Sequence, residues 1–219
     1  MFRLQPEAKC RYRPGQFLHL ALDAYDPSFN WPESRVFSIA NAPGSDFLEI
    51  LVSQKGHFTQ RMIKGLEVED EVWLKLPYGE FNFENARGKD AILVAGGTGI
   101  SPFIPFLEDV YCERTEVRSL ALYYGIKAPE VLIYGDLLQN MKLHTASFHL
   151  NLYVEKGKPS LFPECQNGLL DMERIVLETK PLPGPVYYIS GPKAMINAFV
   201  AEAQKKSIPP SAVYYDKWE

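Results

Sequence analysis

The second half of the sequence constrains the fold most, because short apolar runs alternate there with longer segments of helical pattern. Strands that alternate with helices are typical of a doubly wound parallel sheet. The sequence therefore predicts an α/β domain with five parallel strands. The predicted strands are residues 91–95, 119–124, 148–154, 186–190 and 212–215, and the predicted helices are 101–113 (with Ser101 as N-cap), 130–141, 171–178 and 193–206.

The region before residue 86 has a different pattern. Short apolar runs separated by Pro and Gly turn signals are typical of a small antiparallel β-barrel. A polar stretch, 85–90, separates the two patterns, so we predict a barrel domain over residues 1–86 and an α/β domain over 87–219. Within the barrel domain the predicted strands are 17–22, 36–40, 47–53 and 71–76, the predicted helix is 58–65, and residues 23–34 are predicted to form an exposed loop.

Composition narrows the function classes. The net charge of −4 and pI of about 5.7 disfavour a nucleic acid as partner. No apolar run is long enough to span a membrane, and the N-terminal residues lack the apolar core of a signal peptide. Cys10, Cys112 and Cys165 stand far apart and the four histidines show no metal spacing, so we expect no metal site. A cytoplasmic protein with reduced thiols is the expectation.

The strongest local motif is GGTGIS, residues 96–101, where a predicted buried strand turns into a helix. Glycines there let the backbone approach a phosphate closely, and a helix N-terminus offers free N–H groups. The motif is neither the G-x-G-x-x-G fingerprint, since Pro102 occupies the last glycine position, nor a Walker A loop. A tight turn without a ligand is the alternative interpretation.

Two further motifs carry weaker signals. Strand alternation puts Arg35 and Phe37 of the RVFS motif on one face, where a cation and an aromatic ring suit the phosphate and flat ring of one ligand. An edge-strand arginine beside a core phenylalanine is the alternative. The SGP motif, residues 190–192, follows the fourth predicted parallel strand. Ligands of open α/β sheets lie at the carboxyl ends of strands, so we expect this motif, residues 96–99 and residues 124–125 at one edge, with Tyr124 at a strand end.

The order of these motifs along nearly the whole chain resembles the ferredoxin–NADP reductase superfamily. RVFS is similar to the family's Arg-x-Tyr/Phe-Ser flavin motif, GGTGISPF to its nicotinamide-dinucleotide loop, and SGP to its usual Cys-Gly-Pro. The resemblance implies the cofactors FAD and NAD(P)H. The first residues, 2–5, resemble the second strand of the family's barrel, which implies either an open barrel edge or a start that lies upstream.

The resemblance also implies roles for individual residues. On the flavin side, the implied contacts are with the pyrophosphate for Arg35, Gly56 and Thr59, with the isoalloxazine ring for Phe37, and with flavin N5 for Ser38. On the dinucleotide side, the implied contact residues are Gly97, Thr98, Gly99, Tyr124, Gly191 and Pro192. The residues implied at the reacting centre are Ser38, Ser190 (where a cysteine is common), Asp216 and the C-terminal aromatic Trp218, which would cover the flavin face.

The implied function is electron transfer from NAD(P)H through FAD to a separate acceptor, such as an iron–sulfur protein, an oxygenase or a haem component. One alternative is a reductase of free flavin. Another is a non-catalytic docking subunit or the electron-transfer subunit of a larger dehydrogenase, a kind of member that often carries a cysteine cluster absent from this sequence. Glu155 after the third parallel strand favours NADH over NADPH, because a carboxylate repels a 2′-phosphate, although Lys156 and Lys158 stand beside it.

Overall fold

A computed structural model describes residues 1–216 of the 219-residue chain. The chain divides into two compact units. Unit 1 comprises residues 1–82 and 101–106, and unit 2 comprises residues 83–100 together with those from 107 onward. This division concerns compactness alone, and the functional boundary near residue 86 stays a prediction.

Unit 1 is built from short antiparallel strands and one helix. The middle sheet has the order β3-β2-β5, and β1 pairs with β4 in a second sheet. A single antiparallel bridge between Ile39 and Ile50 links the strand after β3 to β4. The prediction of an antiparallel β domain is confirmed. The elements are β1 (Phe2–Leu4), β2 (Phe17–Ala21), β3 (Ser34–Ser38), β4 (Leu48–Ile50), α1 (His57–Gly65) and β5 (Trp73–Tyr78).

The core of unit 1 forms on one face of β2. Leu18 and Leu20 point to this face and are fully buried; on the other face Phe17 and Ala21 are buried as well, and His19 between them is half-buried. Helix α1 closes this core with Phe58 and Met62, which lie one turn apart on its buried face. The helix is therefore held by its apolar face, and its polar face is left to solvent.

Unit 2 contains a parallel sheet of six strands in the order β11-β10-β6-β7-β8-β9. The doubly wound parallel sheet is confirmed. The sixth strand has two residues, too few to show a periodicity in the sequence. The elements are β6 (Asp90–Gly96), α2 (Ile104–Tyr111, whose first three residues belong to unit 1), β7 (Ser119–Ile126), α3 (Gly135–His144), β8 (Phe148–Val154), β9 (Gln166–Asn167), α4 (Met172–Thr179), β10 (Val186–Ser190), α5 (Lys193–Lys205) and β11 (Val213–Tyr215).

The burial of the central strand β6 explains why its sequence is a continuous apolar run that predicted a strand. All residues from Ala91 to Ala95 are fully buried, because a parallel strand inside such a sheet is covered on both faces and so reads as one apolar run. In the part of the chain that the structure describes, none of the helices combines the length and the apolar character that crossing a bilayer requires.

Two predicted helix starts are wrong. The chain leaves β6 as a 3₁₀ helix over Gly97–Phe103, and α2 begins only at Ile104, so Ser101 is not an N-cap. Pro102 lies inside this 3₁₀ segment and has no N–H for an α-helical bond, so the regular helix starts after it. The helix predicted from residue 130 starts at Gly135, because Tyr134 adopts a left-handed conformation with φ of 56° that interrupts the helical path.

Candidate functional site

The glycine-rich segment that follows β6 and the turn that follows β10 meet at the carboxyl edge of the parallel sheet. We call residues 96–101 the dinucleotide loop, after the contact that the resemblance implies for them, and residues 190–192 the SGP turn. The sheet register pairs Ser190 with Ala95 and Gly96 with Gly125, so β10, β6 and β7 run side by side to this edge. The expectation that residues 96–99 and 190–192 share one edge is met by this register.

Gly99 shows how closely the two segments approach. A Cβ atom at this position would lie 2.3 Å from the carbonyl oxygen of Ser190 and 2.7 Å from the Cα of Gly191. Real Cβ atoms do not come this close to backbone, so any side chain at residue 99 would push the segments apart. Gly191 is constrained as well, since it has φ of +151° and its Cβ position lies 3.0 Å from the nitrogen of Gly96. Backbone packing therefore joins the dinucleotide loop to the SGP turn.

Gly97 has the opposite surroundings. Among residues 1–216, no atom lies within 4 Å of the position that a Cβ of Gly97 would take, although its φ of +55° favours glycine. Thr98, beside it, is half-buried. The outer side of the dinucleotide loop is thus open to an approaching group, whereas its inner side is filled by the SGP turn. Pro192, at the end of that turn, is exposed and precedes the first residue of α5.

Ser190 and Asp216, two of the residues predicted at the reacting centre, are in contact with each other. Ser190 is 3% exposed, and its hydroxyl donates a hydrogen bond to the Asp216 Oδ2 at 3.3 Å. The Asp216 N–H donates to the carbonyl oxygen of Ile189 at 2.9 Å, which fixes the carboxyl group at the end of β10. Trp218 lies outside the described residues, and its predicted role stays a prediction.

Tyr124 is placed differently from the sequence expectation. Strand β7 continues to Ile126, because its pairing with β8 runs on through Ile126 and Val154, so Tyr124 is not at a strand end. Its side chain is fully buried, and burial raises the pKa of its hydroxyl well above the usual value. The side chain is thus turned away from solvent in this structure. A cofactor contact through Tyr124 stays a prediction that its burial does not favour.

In unit 1, Arg35 lies beside the start of α1. Its guanidinium carbon is 5.1 Å from the centre of the Phe58 ring, a cation–π arrangement, and Phe58 is the second residue of the helix. A surface ion pair at 2.7 Å joins Arg35 to Glu33, and both side chains are half-exposed. The guanidinium is therefore oriented by an aromatic ring and a carboxylate while one side remains accessible.

Gly56 and Thr59 form the N-terminus of α1. The Thr59 hydroxyl accepts from the N–H of Lys55 at 3.0 Å and from that of Gly56 at 3.2 Å, and it donates to the Gly56 carbonyl oxygen. The Thr59 side chain thus caps its own helix. Gly56 has extended backbone and open space where a Cβ would stand. Room for an approaching group exists here, next to backbone N–H groups.

Phe37 and Ser38 lie on β3, the edge strand of its sheet. Register places Phe37 opposite Leu18 and Arg35 opposite Leu20, so the two RVFS residues share one face, as alternation predicts. Phe37 is half-buried and packs against the core of unit 1, while Ser38 points to the other face opposite Phe17. The phenylalanine therefore fills part of the core and exposes the rest of its ring.

Two residues of these surroundings were not found by sequence reasoning. Phe58 carries the Arg35 guanidinium, and Met195 packs against the dinucleotide loop. Met195 lies in the first turn of α5, directly after the SGP motif, and this position was the signal that could have found it. Nothing in the local pattern marked Phe58, whose contact with β3 is long-range.

Comparison with known proteins gives independent evidence on the family to which this chain belongs. The model of the oxidoreductase NAD-binding domain matches residues 93–201. A Methanopyrus kandleri protein, "Probable dihydroorotate dehydrogenase B (NAD(+)), electron transfer subunit", is 37% identical over 95% of this chain and 70% of its own length. The reductase component of propane 2-monooxygenase from Mycolicibacterium goodii is 24% identical over 99% of this chain, which spans 62% of that relative's length.

Solved structures share the fold. A ferredoxin NADP⁺ reductase from Neisseria gonorrhoeae, solved with bound FAD and NADP, superimposes with a TM-score of 0.75 at 20% identity, over 97% of this chain and 89% of that one. The fold, the motif order and the Methanopyrus relative agree. The chain belongs to the ferredoxin–NADP reductase superfamily of oxidoreductases.

Proposed function

We propose that this chain is an NAD(P)H-dependent flavoprotein oxidoreductase that binds FAD and passes electrons to a separate acceptor. The observation that carries the proposal is the backbone packing of Gly99 against the SGP turn. This packing builds an edge whose outer side is open at Gly97, as a dinucleotide pyrophosphate requires. Family membership supports the same activity.

The residues of unit 1 fit a flavin diphosphate. Arg35 offers a guanidinium that can make paired, charge-assisted hydrogen bonds to phosphate oxygens. It lies against Phe58 at the start of α1, and the N-terminal end of a helix dipole favours an anion. The empty space at Gly56 leaves access to this helix end. Phe37, half-exposed on the same face of β3 as Arg35, would pack against the flat ring.

The residues of unit 2 fit a nicotinamide dinucleotide. Gly97 lies on the open side of the dinucleotide loop with the half-buried Thr98 next to it, and Gly191 and Pro192 pack beside Gly96. Gly99 acts on the inner side, where it lets the SGP turn approach the loop. We infer that Gly97 and Thr98 are the contact residues, and that Gly99 holds the geometry.

Nicotinamide and flavin together supply the transfer of two electrons when both are bound. The protein's share is positioning. Ser38, half-buried on β3, would offer its hydroxyl to flavin N5. The Asp216 Oδ2 accepts a hydrogen bond from the Ser190 hydroxyl, and this bond orients the hydroxyl.

Anaerobic titration of the purified protein with NADH and with NADPH tests the proposal. The protein should be yellow, and its flavin absorbance should bleach upon addition of about one equivalent of the preferred dinucleotide. A protein that retains flavin but stays oxidised would contradict the activity. A protein that holds no FAD but reduces added free flavin would instead be a free flavin reductase.

For the acceptor, we propose a separate redox protein such as the oxygenase that the reductase component of a monooxygenase serves. A second candidate is the electron-transfer subunit of a dehydrogenase, favoured by the 37% identity to the Methanopyrus subunit. Co-purification with a dehydrogenase subunit would separate this candidate from a freestanding reductase. Cys10, Cys112 and Cys165 are unpaired, which supports a reducing compartment such as the cytoplasm.

A further inference from the structure

Glu33 is a carboxylate that contacts the arginine proposed to bind the flavin diphosphate. Its Oε1 accepts a hydrogen bond from the Arg35 Nη2 at 2.7 Å, and the carbonyl oxygen of Ser34 accepts one from the Arg35 Nη1 at 2.9 Å. Each terminal nitrogen of the guanidinium therefore already donates to an acceptor of this chain. Paired hydrogen bonds from an arginine to a phosphate use the same kind of N–H donors. A phosphate that binds Arg35 must therefore compete with Glu33.

The segment that precedes Glu33 is anchored in unit 1. The Trp31 ring lies 4.9 Å from the Tyr25 ring, and the Lys75 Nζ lies 4.2 Å from the centre of the Trp31 ring. Pro32 joins Trp31 to Glu33, and its own ring fixes one of its two backbone torsion angles. Because the backbone before Glu33 is ordered in this way, less conformational entropy is lost when the carboxylate pairs.

Two contacts besides the ion pair hold the Arg35 guanidinium. Its carbon lies 5.1 Å from the centre of the Phe58 ring, and its Nη1 donates to Ser34. The side chains of Arg35 and Glu33 are each 50% exposed, and an ion pair so open to water contributes little to stability. Glu33 therefore matters little for the fold, whereas its charge opposes the charge that would attract an anion.

A second arginine beside α1 is paired in a similar way. An ion pair at 2.5 Å joins Arg61 to Asp23, which lies at the other end of the segment between β2 and β3. The pKa of the Arg61 guanidinium is raised, chiefly by its hydrogen bond to Asp23 and to a smaller extent by the charge of Glu33. This segment thus supplies a carboxylate for each arginine, and both arginines attract an anion less than they would alone.

We propose that Glu33 competes with the flavin diphosphate for Arg35, lowers the affinity of unit 1 for FAD and thereby keeps the flavin exchangeable. The inference rests on the proposed function. A diphosphate on Arg35 displaces the carboxylate of Glu33, which can remain in water because it is half-exposed. Removal of this charge should tighten FAD binding, an effect that a merely structural role of Glu33 would not produce.

The first test compares two variants at residue 33. Glu33→Gln removes the charge at nearly the same shape, and we expect FAD to bind about fivefold more tightly. Dilution of the holoprotein, followed by flavin fluorescence, gives the affinity and the release rate together. Glu33→Asp keeps a carboxylate near Arg35 and should stay within about twofold of wild type. Equal or weaker FAD binding by Glu33→Gln would overturn the proposal.

Glu71 provides the matched control, because Glu71→Gln changes the net charge by the same amount. It is exposed, belongs to the same unit and lines a groove together with Gly65 and Leu66 at the C-terminal end of α1. Glu71→Gln should leave the affinity for FAD unchanged. If it tightens FAD binding as much as Glu33→Gln does, the effect comes from net charge and the inference is wrong.

A double-mutant cycle tests whether Glu33 acts through Arg35. Arg35→Ala removes the group for which Glu33 competes, so Glu33→Gln in that background should tighten FAD binding by less than about twofold. A gain of about fivefold in both backgrounds would mean that the carboxylate repels the flavin directly, and the proposed competition would be refuted.

FAD binding by the wild-type protein separates the two possible failures. Wild-type protein that binds no FAD would contradict the proposed function. Wild-type protein that binds FAD, with a Glu33→Gln variant that binds it no more tightly, would contradict only the role of Glu33.

Discussion

The two units prepare for a ligand by different means. In unit 1, the candidate groups are side chains, since Arg35 is oriented by Phe58 and Glu33, and the space at Gly56 is empty. In unit 2, the candidate edge is built from backbone, and Gly99 leaves no room for a Cβ. Substitutions in unit 1 should therefore remove a contact, whereas substitutions in unit 2 should deform the scaffold.

The largest effect is expected for Gly99→Ala, because the new Cβ would lie 2.3 Å from the Ser190 carbonyl oxygen. We expect the free energy of unfolding of unit 2 to fall by about 1–3 kcal/mol, together with loss of dinucleotide binding. Urea unfolding and NAD⁺ titration measure the two effects. Gly65→Ala is the control, since a Cβ there meets nothing within 4 Å. Equal stability of the two variants would refute the close packing.

Arg35→Ala should come next. It removes the charge that is expected to bind the flavin diphosphate, and we expect affinity for FAD to fall by roughly ten- to a hundredfold while the fold persists. Flavin retained after dialysis, with circular dichroism in parallel, checks this. Arg3→Ala is a matched control, since Arg3 also lies over a phenylalanine, Phe47, and pairs with a carboxylate. A fully yellow Arg35→Ala variant would contradict the assignment.

Ser38→Ala should affect rate more than binding. Loss of a hydroxyl beside flavin N5 should slow anaerobic flavin reduction by about tenfold, with FAD content maintained. Stopped-flow reduction by saturating NADH measures the rate. Ser34→Ala, four residues earlier on the same strand and face, should reduce as fast as wild type. Identical rates for the two variants would exclude a role of Ser38 at the reacting centre.

The smallest effect concerns dinucleotide choice. The N–H of Glu155 donates to the Ile126 carbonyl oxygen, and that of Lys156 to the Lys127 carbonyl oxygen, so the segments after β7 and β8 lie side by side. A carboxylate here should repel a 2′-phosphate. Glu155→Gln should therefore raise kcat/KM for NADPH relative to NADH by a fewfold, with Glu67→Gln as control. A wild-type preference for NADPH would overturn the expectation.

Regular elements were predictable where one physical cause dominated. The apolar run of β6 reflects burial on both faces, and the helix near residue 193 follows a proline at its start. The shared face of Arg35 and Phe37 followed from alternation alone. In each case a local rule and the tertiary environment demand the same residues.

The sequence did not predict those features of the structure that depend on contacts between residues far apart in the chain. The predicted loop 23–34 carries Tyr25 and Trp31, whose rings lie 4.9 Å apart, and Lys75 of β5 lies 4.2 Å from the Trp31 ring. Residues 23–34 show no hydrophobic periodicity from which this aromatic packing could be predicted. Burial of Tyr124 likewise depends on β8 pairing past the expected strand end. The glycine at residue 99 looked like a phosphate contact, whereas its demonstrable neighbour is the Ser190 carbonyl.

That neighbour has a consequence for how this edge can vary. The Ser190 atoms nearest to a Cβ of residue 99 are its main-chain oxygen and carbon. The close contact with residue 99 is therefore made by the backbone of Ser190, whereas its side chain makes the hydrogen bond to Asp216. A Ser190→Cys exchange should leave the packing intact and alter only the group presented to Asp216. We expect that replacing the side-chain oxygen at residue 190 by sulfur changes the chemistry of this edge while the backbone contact with Gly99 stays in place.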